Sequence, residues 1–234
     1  MKNIKAILLD LGGTVFDWET TVREGIQQLA IECSQAVDGT KFANDWGEEL
    51  FRIHSSVRAG DLPWMNFDDM HVIALNSLEK THPVLRRVGD KMELVKNTWH
   101  RLNAQSGSAE GVDRLRTRYT VVCLTNLSWA SVVSSSKTNQ IQWDGILSCE
   151  FLGFYKPALQ AYLKGVSALG LKPHECLKIS YDGVDLEAAQ AAGLKTAQLE
   201  TGETELDLKG FGGSNTTFDT SATDLLDLCD RLGV

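Results

Sequence analysis

Carboxylate, hydroxyl and amide side chains directly follow two of the short apolar runs in this sequence. Asp10 and Thr14 follow the first run, and Thr125 and Asn126 follow the second. A short apolar run without turn residues is typical of a fully buried parallel strand. Because ligands in open α/β sheets bind beyond the carboxyl ends of the strands, we expect these side chains to lie in one site.

The remaining candidates for chemistry lie in the second half of the chain. Ser180, Asp182 and Asp185 follow a further apolar run, and Lys156 starts a predicted helix that carries Tyr162. A carboxylate nucleophile, a group that holds the substrate, a lysine that balances charge and a second carboxylate suit covalent catalysis. Each residue type alone is more often a helix cap or a surface charge. Their joint placement at successive strand ends favours a catalytic site.

Alternating strands and helices must position these residues. Apolar runs predict the strands, and the spacing of apolar residues predicts amphipathic helices, most of them between the first and second runs. The pattern predicts an α/β fold with a doubly wound, parallel-sheet, Rossmann-like core and a helical cap insert. We expect residues 1–17 and 98–234 to form the core domain and residues 18–97 to form the cap.

The predicted elements cover most of the chain. Between the last strand and the last helix, residues 201–220 are rich in Gly, Ser and Thr. The predicted strands are the run before Asp10 and residues 119–124, 146–148, 177–180 and 196–199. The predicted helices are residues 20–33, 42–57, 67–78, 84–102 and 222–232.

Composition restricts the partners and the compartment. The 234 residues carry a formal net charge of −8, which argues against nucleic acid or an anionic membrane as a partner. No apolar run approaches the roughly 20 residues of a membrane span, and the first run is too short for a signal peptide. Five scattered cysteines without metal-type spacing predict packed thiols in a reducing compartment. We therefore expect a cytoplasmic protein.

The identity and order of the candidate residues resemble those of the haloacid dehalogenase superfamily. Within it, the chain is similar to the type II 2-haloacid dehalogenase branch over nearly its whole length, up to about Leu199. The Asp17-Trp18 pair also matches this branch. The motifs that carry the resemblance are Asp10-x-x-Gly13-Thr14, Thr125-Asn126, Lys156-Pro157 with Tyr162, and Ser180-x-Asp182-x-x-Asp185-Leu186.

The resemblance implies a metal-independent hydrolase that needs no cofactor and acts on a small 2-substituted carboxylic acid. Asp10 is expected to attack C2 of the substrate, displace the leaving group and form an aspartyl ester. Asp185 is expected to position or deprotonate the water that hydrolyses this ester, while Lys156 neutralises the carboxylates. The leaving group implied first is a halide.

Further side chains are expected to support this chemistry. The resemblance implies that Thr14 and Ser180 hold the carboxylates by hydrogen bonds and that Tyr162 braces the lysine. Trp18 and Trp46 are expected to line an apolar pocket that excludes water during ester formation. The substrate-binding residues implied by the resemblance are Leu11 and Gly12 through their backbone, Trp18, Trp46, Gly47, Thr125 and Asn126.

Two residues depart from the dehalogenase pattern. Gly47 follows Trp46 where the family has an arginine that cradles the departing halide, and Asp182 stands where the family has a neutral asparagine. Arg52 and Arg58 lie five and eleven residues beyond Gly47, and we expect them to point elsewhere. Losing a cation and gaining an anion makes the pocket more favourable to a positively charged group. An amine leaving group, as in ring opening of L-azetidine-2-carboxylate, is therefore the first alternative.

Two further interpretations remain open. Gly12 replaces the acid that protonates the leaving group in phosphatases of the superfamily, and Tyr181 replaces their metal-binding acid, although Asp182 is adjacent. A Mg²⁺-dependent phosphatase is thus an alternative, and so is a relative that binds a ligand without turnover. The intact carboxylates and lysine argue against the inactive form. The resemblance also implies a homodimer, since relatives often form one.

Overall fold

The computed structural model describes residues 3–200 and 216–234, and these residues form eight strands and ten α-helices. The strands are β1 (Ala6–Leu9), β2 (Phe16–Asp17), β3 (Asn103–Ala104), β4 (Thr120–Thr125), β5 (Gly145–Ser148), β6 (Cys176–Ser180), β7 (Lys195–Leu199) and β8 (Thr220–Ala222). The helices are α1 (Trp18–Glu32), α2 (Gly39–Ala59), α3 (Phe67–Ser77), α4 (Lys91–Thr98), α5 (Ser108–Arg116), α6 (Trp129–Thr138), α7 (Cys149–Leu152), α8 (Leu159–Ala168), α9 (Gly183–Ala191) and α10 (Leu225–Leu232).

Six of the strands form one parallel sheet in the order β5-β4-β1-β6-β7-β8. β1 lies inside this sheet, where Leu9 pairs with Cys123 of β4 and with Ile179 of β6. All four residues of β1 are completely buried, as expected for an inner parallel strand. Because the strands run in one direction, the residues that follow β1, β4 and β6 meet at one edge of the sheet. The predicted α/β fold with a doubly wound parallel core is confirmed.

The strands predicted from apolar runs are confirmed, and the structure adds β8. Ala222 of this short strand pairs with Leu199 of β7. The last helix therefore begins at Leu225 rather than at Ala222, after Asp224 accepts a hydrogen bond from the N–H of Asp227 at 2.8 Å. Of the segment rich in Gly, Ser and Thr, residues 201–215 lie outside the described residues.

The helical segment after β2 agrees with the sequence pattern except at its end. The first three predicted helices correspond to α1, α2 and α3. The prediction of one helix over residues 84–102 is wrong, because Pro83–Arg87 forms a 3-10 turn and α4 begins only at Lys91. Gly89 interrupts the pattern, and Asp90 caps α4 by accepting the N–H of Met92 at 2.8 Å.

Two short strands outside the main sheet form an antiparallel ribbon. Phe16 and Asp17 of β2 pair with Ala104 and Asn103 of β3. Strands of two residues leave almost no pattern in a sequence, so neither was predicted. The ribbon joins the place where the chain leaves the sheet to the place where it returns. We propose this ribbon as the boundary between a core domain, residues 1–17 and 98–234, and a cap, residues 18–97, which carries the helices α1 to α4.

Two further features of the chain are the apolar length of its helices and the state of its cysteines. Across residues 3–200 and 216–234, no helix is long and apolar enough to cross a membrane. All five cysteines are free, and Cys123, Cys149 and Cys176 are buried. The prediction that these three are packed thiols is confirmed.

Candidate active site

Asp10 is the first residue after β1, and two side chains hold its carboxylate. Its Oδ1 accepts a hydrogen bond from Nζ of Lys156 at 2.6 Å, and its Oδ2 accepts one from Oγ1 of Thr14 at 2.9 Å. The backbone N–H of Asp10 donates to the carbonyl of Ile179 at 2.9 Å, which ties the residue to β6. These contacts bring three predicted site residues together and fix the direction of the carboxylate.

Asp185, in the first turn of α9, accepts hydrogen bonds from three side chains. Lys156 and Lys178 reach Oδ2 at 2.7 and 3.0 Å, and the Tyr162 hydroxyl donates to Oδ1 at 2.5 Å. Burial alone raises the pKa of Asp185, but the two ammonium groups outweigh it and hold that pKa well below its usual range. Asp185 is therefore a firmly ionised group whose two oxygens are both engaged.

Lys178 is a site residue that the sequence analysis did not identify. It lies in the middle of β6 and is completely buried, and burial lowers the pKa of its ammonium group. Its Nζ also lies 3.4 Å from the carbonyl of Ile179. A lysine inside an otherwise apolar strand was the available indication, because a buried ammonium requires a partner.

The loop after β4 positions Lys156 through its backbone. Asn126 accepts the N–H of Lys156 at 2.9 Å with Oδ1 and donates to the carbonyl of Lys156 at 3.2 Å with Nδ2. The same Nδ2 lies 3.5 Å from Nε2 of His54. Thr125 accepts the N–H of Leu127 at 3.2 Å. Thr125 and Asn126 also line the cavity described below.

Two of the predicted supporting contacts are made with other partners. Ser180 accepts the N–H of Asp182 at 3.2 Å, and within the described part of the chain it makes no hydrogen bond to a carboxylate. The expectation that Ser180 holds a carboxylate is therefore wrong. Tyr162 donates to Asp185 and not to Lys156, so it supports the lysine only through that carboxylate.

Asp182 precedes α9 and caps it. Its Oδ1 accepts the N–H of Val184 at 2.9 Å, and the residue lies on the cavity wall together with Asp10 and Asp185. Burial, followed by the negative charge of Asp185, raises the pKa of Asp182 to about 6. This carboxylate therefore exchanges its proton near neutral pH.

A cavity of about 370 Å³ opens between the sheet edge and the cap helices. Asp10, Gly12 and Lys156 line it, and so do Trp18 and Trp99, which stack on each other at 5.4 Å between ring centroids. Trp99 was not among the predicted residues, since it follows α4 outside any motif. The cavity is large enough for a small carboxylic acid.

Two predicted substrate contacts do not lie on the cavity wall. Trp46 is 1% exposed and packs against Phe42, His71 and Trp99 at centroid distances of 5.9, 5.5 and 6.1 Å. The expectation that its ring lines the pocket is wrong, because α2 turns this residue toward the helices. The side chain of Leu11 is completely buried, and its carbonyl accepts the N–H groups of residues 14, 15 and 16 in the turn after β1.

The cavity-facing stripe of α2 includes an arginine. Gly47, His54 and Arg58 all line the cavity, although Arg58 was expected to point elsewhere. That expectation is wrong because eleven residues complete about three helical turns, so Gly47 and Arg58 share a face.

Burial, with the charges of Arg58 and Lys156, lowers the pKa of His54 to about 3, so the imidazole is neutral at pH 7. Arg52 lies on the exposed face and pairs with Glu49 at 2.7 Å.

The turn after β1 requires glycine at one of its two glycine positions. Gly13 has a φ of +80°, and a Cβ there would lie 2.4 Å from the ring of Tyr181. Tyr181 also donates its backbone N–H to Oγ1 of Thr14 at 3.2 Å. At Gly12 a Cβ would meet no atom within 4 Å, so this position is open to the cavity.

In the described ranges, no three His, Cys, Asp or Glu side chains are grouped to hold a metal ion.

Comparison with known proteins identifies similar chains over nearly the full length. Residues 4–193 match the family model described as haloacid dehalogenase-like hydrolase, while no curated protein matches the chain. The structure of the defluorinating L-2-haloacid dehalogenase Rha0230 shares 29% identity, with a TM-score of 0.88 over 99% of this chain and 96% of that one. The L-2-haloacid dehalogenase PA0810 shares 28% identity, with a TM-score of 0.84 over 98% and 99%.

A third structure extends the likeness of the fold. It is L-2-haloacid dehalogenase from Xanthobacter autotrophicus with chloropropionic acid covalently bound, and it shares 17% identity with this chain. Its TM-score is 0.79, and the match covers 98% of each chain. At this identity the likeness concerns the fold alone.

Proposed function

Since this chain belongs to the haloacid dehalogenase-like hydrolase family, we propose that it displaces a leaving group from C2 of a small 2-substituted carboxylic acid, as a 2-haloacid dehalogenase does. The observation that carries this proposal is the Asp10 carboxylate, which Lys156 and Thr14 hold on the wall of a cavity that Trp18 and Trp99 also line. The likeness to two L-2-haloacid dehalogenases supports a substrate of this class.

In the first step, an oxygen of Asp10 attacks C2 of the substrate. A bond forms between this oxygen and C2, the bond from C2 to the leaving group breaks, and the leaving group departs with the electron pair. Lys156 and Thr14 hold the carboxylate in one direction, which favours an in-line approach. The stacked rings of Trp18 and Trp99 keep water away from this step.

In the second step, water hydrolyses the aspartyl ester. The water oxygen bonds to the ester carbonyl carbon, and the bond from this carbon to the alkyl oxygen then breaks. A 2-hydroxy acid leaves, the Asp10 carboxylate is restored, and one proton is released to solvent. Lys156 balances the negative charge of Asp185 while the ester exists and the charge of Asp10 once its carboxylate is restored, since it contacts both residues.

The charges on the cavity wall favour a halide as the leaving group. Arg58 lies on the same face of α2 as Gly47 and supplies a positive charge to the cavity, which offsets the negative charge of Asp182. An amine leaving group remains the second candidate, because the carboxyl group of Asp182 lies on the wall and can give a proton to a departing nitrogen.

An assay of the purified protein in EDTA, side by side on (S)-2-chloropropionate and L-azetidine-2-carboxylate, tests this proposal. We expect chloride release, abolished in Asp10→Asn. Ring opening without chloride release would replace the halide by an amine as leaving group. Activity that appears only with Mg²⁺ and a phosphate ester would refute the proposal in favour of a phosphatase. Tight binding of the acids without turnover would identify an inactive relative.

A further inference from the structure

The resemblance gives Asp185 the task of activating the hydrolytic water, but its contacts oppose that role. Its Oδ2 accepts from two ammonium groups, those of Lys156 and Lys178, and its Oδ1 accepts from the Tyr162 hydroxyl. A general base must take up a proton, and a carboxylate stabilised as an anion by two cations takes one up poorly.

Lys178 is the residue that removes Asp185 from this role. Without it, Asp185 would share a single ammonium group, that of Lys156, with Asp10. With it, the buried cluster contains two carboxylates and two ammonium groups, and its formal charges balance. The cluster is thus built to remain charged, not to exchange protons.

Asp182 has the properties that Asp185 lacks. It lines the same cavity as Asp10, and its Oδ1 accepts the N–H of Val184. In the described part of the chain, Oδ2 of Asp182 accepts no hydrogen bond and the residue forms no ion pair, so this oxygen is free to bind water. The charged or titratable groups that share the cavity wall with it are Asp10 after β1, Lys156 before α8, Tyr181 after β6, Asp185 on α9, and His54 and Arg58 on α2.

Building on the proposed function, we propose that Asp182 is the general base of ester hydrolysis and that Asp185 is a positioning residue for Lys156. Asp182 takes a proton from water as the water oxygen bonds to the carbonyl carbon of the Asp10 ester. The bond from that carbon to the alkyl oxygen then breaks, and Asp182 returns the proton to this oxygen. The 2-hydroxy acid leaves, and the proton of the new Asp10 carboxyl group passes to solvent.

Rapid quenching of a single turnover, followed by mass measurement of the intact protein, separates the two steps with (S)-2-chloropropionate as substrate. In Asp182→Asn we expect ester formation within about threefold of the unmodified protein and ester hydrolysis slowed about 100-fold or more, so that the adduct accumulates. Asparagine retains an oxygen for the N–H of Val184. In Asp185→Asn we expect slower ester formation and no accumulation.

The pH dependence of the second step provides a readout that a structural role of Asp182 would not move. The base must be deprotonated to act, so hydrolysis in the unmodified protein rises with pH through about 6. In Asp182→Asn this rise should disappear. Asp224→Asn, which changes the cap of α10 in the same way, should leave both steps unchanged.

The possible failures are distinguishable. Ester hydrolysis at the normal rate in Asp182→Asn, or accumulation of the ester in Asp185→Asn, would overturn the assignment of the base alone. Absence of any adduct and any turnover in the unmodified protein would overturn the proposed function, and this assignment with it.

Discussion

At the scale of single residues, Lys178 lies where an ammonium group is least expected. It is completely buried in the inner strand β6, and its partner is a carboxylate already bound to another lysine. A buried ion that loses its partner is strongly destabilising, whereas a balanced cluster is tolerated. The stability of this protein should therefore depend on the cluster as a unit.

We expect Lys178→Met to lower the free energy of unfolding by about 3 kcal/mol, because it leaves a buried negative charge without compensation. The double variant Lys178→Met, Asp185→Asn should lose at least about 1 kcal/mol less than the sum of the single variants. Urea unfolding at pH 7 measures both. Lys137→Met, at an exposed lysine on α6, is the control and should change stability by less than about 0.5 kcal/mol. Strict additivity would contradict the coupling.

The two glycines after Asp10 make a matched pair. Gly13→Ala places a Cβ at a φ of +80° and 2.4 Å from the Tyr181 ring, so we expect a loss of roughly 2–4 kcal/mol in unfolding free energy. Gly12→Ala meets no atom within 4 Å and should be nearly neutral in stability. Urea unfolding of both variants decides this. Equal stabilities would mean that the turn relaxes around the added methyl group.

At the scale of elements, α2 illustrates what sequence periodicity can predict. The spacing of Phe42, Trp46 and Leu50 correctly predicts the helix and its buried face. Periodicity does not reveal which residues of this face pack against other helices and which line the cavity. Trp46 was therefore expected in the pocket, where its neighbour Gly47 lies instead, and Arg58 was expected outside it.

The position of Arg58 on α2 predicts a role in binding anions. We expect Arg58→Gln to raise KM for 2-chloropropionate about tenfold with less than a threefold change in kcat, because the cavity loses a positive charge. The KM of the unmodified protein should rise with ionic strength, and that of the variant should rise less. Arg52→Gln removes an arginine from the exposed face of the same helix, and its KM should stay unchanged.

At the scale of the whole molecule, side-chain contacts join the loop between α2 and α3 to the loop before α8. The hydroxyl of Tyr155, in the loop before α8, donates to the carbonyl of Met65 at 2.9 Å, and its ring stacks on Trp64 at 4.6 Å. The sequence predicted Asp10, Thr125 and Asp185 as site residues because they follow strands. In a parallel sheet the carboxyl ends of the strands lie at one edge. Trp99 could not be predicted in this way, since only the packing of distant segments brings it to the cavity.

The aromatic packing of the cap also determines how the protein responds to acid. His71 is completely buried between Trp46 and Trp99, and in the described chain neither of its ring nitrogens has a hydrogen-bond partner. Burial lowers the pKa of His71 to about 3, against about 6.5 in an unfolded chain. Between these values the unfolded state binds the additional proton, so stability falls as pH decreases from 6.5 toward 3.

We therefore expect His71→Leu to flatten the loss of stability in acid. In the unmodified protein, His71 should account for roughly 2–3 kcal/mol of the decrease in unfolding free energy between pH 7 and pH 4.5. The variant loses ring contacts at pH 7, so its absolute stability is not the criterion, and the difference between the two pH values is. Urea unfolding at both pH values gives that difference, and His174→Leu, at an exposed histidine, is the control. An unchanged difference in His71→Leu would mean that the cap opens before His71 is protonated, because a histidine already exposed to solvent no longer links the proton to global unfolding.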